Sequence, residues 1–94
     1  MKFIGLFHLK HDVNQARVNE VIARRIEYKF PDGVQLINEY WTPTKLAVVA
    51  TFEADDPAAL MMNTINWLDA FDAEIIPAVE FGEAVKKLPR MLRK

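Results

Sequence analysis

The chain has no cysteine, so disulfides, thiolate metal sites and cysteine nucleophiles are excluded. Serine is absent too, which excludes a Ser-His-Asp triad. Neither sign of charge dominates, with 12 basic residues against 13 acidic ones. Taken whole, the chain makes no electrostatic case for nucleic acid or membrane as a partner. No apolar run approaches the roughly 18 residues of a membrane span. A strand-like run begins at Lys2 with no cleavage-site pattern before it. No signal peptide is expected, and the expected location is cytoplasmic. At 94 residues there is room for one domain with a single core.

The order of elements can be read from periodicity. Lys2 to Leu9 is apolar and aromatic and reads as a strand. Asp12 offers an N-cap, with Gln15 completing a capping box. Val18, Val21, Ile22 and Ile26 then repeat at helical spacing, opposite Arg17, Glu20, Arg24 and Glu27, with Glu20 and Arg24 as an i,i+4 pair. Pro31 and Gly33 turn the chain. Val34 to Thr42 and Leu46 to Glu53 read as a hairpin across Pro43-Thr44-Lys45. Asp56 and Pro57 start a second helix, with Leu60, Met61, Ile65 and Leu68 as its buried stripe. Ala73 to Phe81 reads as a fourth strand, at a sheet edge where Pro77 is tolerated. Residues 1–81 thus form one domain, and 82–94 a short C-terminal helix or basic tail interrupted by Pro89.

This β-α-β-β-α-β order predicts an α+β, ferredoxin-like sandwich with an antiparallel four-stranded sheet, its first and third strands central. Alternation without bulges puts Val34, Leu36, Asn38 and Tyr40 under the helices, and Gln35, Ile37, Glu39 and Trp41 on the other face. Ile4, Leu6, Val49 and Ile76 make the centre of that second face apolar, with no helix left to cover it. A homodimer through this uncovered face is expected.

Several residues together resemble a known family. They are Gly33-Val34-x-Leu36, Tyr40-Trp41, Ala54-Asp55-Asp56-Pro57-Ala58-Ala59-Leu60, Trp67, and Phe71 to Val79 with Pro77. Their order and spacing are similar to those of domain of unknown function 3303, over about residues 33 to 81, with the first strand in keeping. The resemblance implies a ferredoxin-like fold of the dimeric α/β-barrel type and no particular activity. The chain departs from the family in carrying Tyr40-Trp41 where a Trp-His pair is expected. Its basic end from Lys86 lies beyond the expected family core.

Candidate site residues follow from chemistry. His8 and His11 have H-x-x-H spacing, but an odd separation on a strand points the rings to opposite faces, and no third ligand is near. No metal and no cofactor are expected. His8 is a candidate acid or base at the mouth of the dimer interface. Asn38 and Tyr40, polar on an apolar face, are candidate ligand-binding residues, with Asn63, Asn66 or Trp67 of the second helix opposite. Glu39, Glu53, Glu74 and Glu80 read as solvated edge charges. From Lys86 onward there are five basic residues and no acidic one, yet no aromatic interleaving that would favour nucleic acid. Two functions are compatible with this pattern. One is a homodimeric small-molecule-binding or interaction domain. The other is a cofactor-independent enzyme, of oxygenase or isomerase type, acting on a small apolar organic acid or aromatic.

Overall fold

The computed structural model describes residues 1–10, 14–43 and 46–92, with side chains described through Leu88. Strands β1 (Lys2–Leu9), β2 (Val34–Trp41), β3 (Ala47–Ala54) and β4 (Phe71–Ala78) accompany helices α1 (Gln15–Glu27), α2 (Pro57–Ile65) and α3 (Phe81–Leu92). The strands form one antiparallel sheet in the order β2-β3-β1-β4. The apolar strands β1 and β3 are central and β4 is an edge, as Pro77 requires. β4 starts and ends earlier than its composition suggests: Phe71 and Asp72 belong to it, and Phe81 opens α3.

Helices α1 and α2 lie over the face that carries Phe3, Phe7, Val48, Ala50, Phe52 and Phe71. Val21, Leu60 and Trp67 complete that core. Gly5 sits in its middle because nothing larger fits. A Cβ there would lie 2.7 Å from a Phe7 ring carbon and 3.0 Å from one of Phe52. Gly33 turns the chain into β2 with a φ of 88°, open to glycine at little cost.

The helix caps follow local chemistry. Asp56 accepts a bond from the Ala58 N–H and Pro57 takes the first helical position. α1 is capped by Asn14, whose side chain accepts from the Arg17 N–H at 2.9 Å. Asp12, expected in that role, lies outside the described residues, as do His11, Thr44 and Lys45.

Both helices bury faces other than the most apolar ones. In α1, Val21 is fully buried while Ile22 and Ile26 face solvent. Arg24 turns inward, with its guanidinium 4.5 Å from the centre of the Trp67 ring. Its partner is Asp69, gripped by two bonds of 2.8 Å, rather than Glu20, which pairs with Arg17. In α2 the buried set is Leu60 and Asn63, continued by Trp67, whereas Met61, Ile65 and Leu68 remain exposed. α3 runs past Pro89 to Leu92.

Candidate functional site

One residue decides what the sheet presents to the helices. β2 pairs with β3 as Val34 with Ala54, Gln35 with Glu53 and Leu36 with Phe52; it then slips, so that Asn38 faces Thr51 and Trp41 faces Val48. Ile37 is the extra residue of a bulge. Beyond it every side chain is reversed relative to a regular strand. Glu39 and Trp41 point under the helices. Asn38 and Tyr40, expected there, stand on the open face instead, with Tyr40 65% exposed.

The inward residues close a cavity between the sheet and the helices. Its walls are largely aromatic, from Phe7, Phe30, Trp41, Phe52, Trp67 and Phe71, with Arg25, Glu39 and Asn63 as the polar lining. Its interior volume is small, about 40 Å³, and it opens to solvent at its mouth. Most ring pairs meet edge-on: Tyr28 with Trp67 at 5.0 Å, Trp67 with Phe71 at 6.0 Å, and Trp41 with Phe71 at 6.5 Å. That arrangement suits the aromatic quadrupole.

The polar groups of the cavity are bonded to one another. Arg25 donates from Nε and Nη2 to the Glu39 carboxylate at 2.9 and 2.6 Å, and the Trp41 indole N–H donates to the same carboxylate at 2.8 Å. Burial pushes the Glu39 carboxyl upward. The bonds from Arg25 and Trp41, with the Arg25 charge, outweigh it, so the group stays below the ordinary glutamate value. Arg25 also lies 5.0 Å from the Phe30 ring centre. Asn63, 1% exposed, accepts from the Tyr28 hydroxyl at 2.9 Å, and that hydroxyl accepts from the Asn66 amide at 3.1 Å.

Of the site residues expected from sequence, Asn63 and Trp67 line the cavity, and Asn66 lies outside it, linked to Asn63 through the Tyr28 hydroxyl. Asn38 and Tyr40 are displaced from it by the bulge. His8 is exposed on the open face, paired in register with Ala47 and Asp72. Arg25, Tyr28 and Glu39 were not expected at the site. Among the described residues no group of His, Cys, Asp or Glu has the arrangement of a metal site, and no helix is long and apolar enough to cross a membrane.

Comparisons with curated proteins and with solved structures find no match. The family model described as domain of unknown function (DUF3303) matches residues 1–92. The match extends through α3, so the basic end from Lys86 to Leu92 is part of the family pattern and not an addition to it. The chain belongs to the DUF3303 family.

Proposed function

We propose that the chain is a ferredoxin-like protein of the dimeric α/β-barrel type that binds a small, neutral aromatic molecule in the cavity between sheet and helices. The observation that carries this reading is the aromatic wall with its internally paired Arg25 and Glu39. Pockets of this make-up, apolar with a few convergent polar groups, are the common form of small-molecule sites. Arg25 already spends its fork on Glu39, which leaves it poorly placed to take a ligand carboxylate. A neutral ring is therefore favoured over an organic acid.

The second part of the proposal is a homodimer through the open face. Ile4, Leu6, Val49 and Ile76 form its centre, and the bulge adds Tyr40, while Ile37 is 43% exposed. The Thr51 hydroxyl on this face is buried without a hydrogen-bond partner among the described residues. An apolar surface of this kind is unusual for a monomer. The cofactor-independent enzyme is the weaker reading. His8 stands on the other face of the sheet from the cavity, and Glu39, held ionised by Arg25, is a poor base.

A thermal-shift screen of neutral single-ring aromatics beside aromatic carboxylates tests the ligand. Neutral compounds should raise the melting temperature, and Leu36→Trp, which fills the cavity, should abolish the shift. Asn38→Val and Tyr40→Phe should leave it unchanged. A screen without hits, or a shift that survives both Leu36→Trp and Arg25→Met, overturns the site. Sedimentation at micromolar concentration tests the dimer. Val49→Asp should weaken it, because an unpaired charge is costly to bury, and a wild-type monomer would sink the idea.

A further inference from the structure

Beside the cavity lies a broader apolar groove between α2 and β4. Met61, Ile65 and Leu68 form one wall and Ile75 and Pro77 the other, and it admits the centres of water-sized molecules over about 460 Å³. Met61 is 61% exposed and Ile65 55%. α3 has the converse problem. Phe81, Val85 and Leu88 form an apolar stripe along it and are 83%, 43% and 46% exposed. The two stripes match: Met61, Ile65 and Leu68 are spaced by four and then three residues, as are Phe81, Val85 and Leu88. Phe81, Val85 and Leu88 make one helical ridge of about 10 Å on α3, while Met61 and Ile65 lie on α2 and Leu68 on the turn that follows it.

We infer that the groove between α2 and β4 receives α3 of a second copy of this chain. Charge supports that occupant. Five of the 12 basic residues lie from Lys86 onward, leaving 7 basic against 13 acidic in the remainder, a net of −6 by subtraction. Asp55 and Asp56 flank the Pro57 end of α2, which lines the groove. The later turns of α3, with Lys86 and Lys87, thus match acidic side chains at one end of the groove. Its own groove is harder for α3 to reach. Two residues, Val79 and Glu80, connect it to β4. The Glu80 carboxylate is bonded to Lys2, whose strand position faces the open side of the sheet, and the Glu80 carbonyl accepts from the Ala84 N–H. Glu80 is thereby held on the side of the sheet away from the groove. Reciprocal exchange of α3 fills both grooves of a pair, as a two-fold assembly requires. The exchange uses a surface separate from the open sheet face and stands apart from the reading above.

The absence of cysteine makes the test direct. Met61→Cys and Val85→Cys are placed together in one chain, which is then oxidised gently. Both positions are exposed, so the fold should tolerate the changes, and circular dichroism checks it. A disulfide forms only where the two Cα atoms come within about 7 Å. Exchange predicts a covalent dimer joined through residues 61 and 85, identified by peptide mass, and lost when Leu88→Asp is added. Mixing the two single-cysteine chains should give the same 61–85 link. A 61–85 bond within one chain would mean that α3 folds onto its own groove and would overturn the exchange. So would a failure to form the link while both thiols react freely with a maleimide. The open-face dimer is judged separately, by sedimentation of a Val85→Asp chain whose sheet is untouched.

Discussion

Arg25 grips Glu39 across 14 residues of sequence, with Nε at 2.9 Å and Nη2 at 2.6 Å from the carboxylate oxygens. The two side chains are only 27% and 16% exposed, so the pair is screened less than a surface ion pair. Folding lowers the Glu39 pKa. The stability it contributes is therefore present above the ordinary glutamate range and is lost as pH falls through the lowered value. Urea midpoints should fall as pH is taken from 6 to 3, and Glu39→Gln should flatten that dependence. Arg25→Met should cost about 2 kcal/mol at pH 7, since it strips the strongest bonds from a half-buried carboxylate. An unchanged pH profile in Glu39→Gln would show that the pair carries no such linkage.

Tyr28 and Asn63 form a second coupled pair, joining the end of α1 to α2. Tyr28→Phe leaves the Asn63 oxygen, buried at 1% exposure, without its hydroxyl donor. The expected cost is about 1–3 kcal/mol. Asn63→Leu in the Tyr28→Phe background should recover part of it, because the orphaned acceptor is then gone. A double-mutant cycle by urea denaturation reads the coupling, and strict additivity would mean that the bond is not formed.

Gly5→Ala should destabilise by about 1–3 kcal/mol, because its Cβ collides with two rings that are themselves packed. Gly82→Ala is the internal comparison, as a Cβ there meets nothing within 4 Å. Thermal unfolding of the two variants should separate them clearly. Equal melting temperatures would refute the account of Gly5.

Much of the fold is legible because its signals are local. Asp56-Pro57, Gly33 and the alternation of β1 and β3 each specify their own geometry, and Pro77 marks an edge. The site is less legible for a reason that also has a physical form. After Leu36 the inward pair is either Asn38 with Tyr40 or Glu39 with Trp41. Each choice offers one polar and one aromatic residue, so hydrophobic alternation cannot choose. The partner that decides it, Arg25, lies on another element, where no local pattern ties it to β2. The exposed stripe Met61–Ile65–Leu68 is a different case. Its periodicity marks a buried face, and within one chain that face has no cover.

The bulge itself can be tested by deletion. Ile37 is the unpaired residue, and it is 43% exposed. Removing it joins Leu36 directly to Asn38. Regular alternation then puts Asn38 outward, Glu39 inward, Tyr40 outward and Trp41 inward, the arrangement already present. The pairings of Leu36 with Phe52 and Asn38 with Thr51 become consecutive, and no side chain has to change face. The deletion should therefore keep the Arg25–Glu39 contact and cost at most about 1 kcal/mol, mainly from lost strand twist. An unbulged strand gives the opposite expectation. There the deletion would drive Glu39 and Trp41 from the open face into the core and turn Asn38 and Tyr40 out, with a large loss of stability. Urea denaturation gives the free energy. The near-ultraviolet circular dichroism of Trp41 and Trp67 reports whether the aromatic cavity persists. A deletion chain that unfolds, or that loses the aromatic signal while staying folded, would show that Ile37 is not the extra residue.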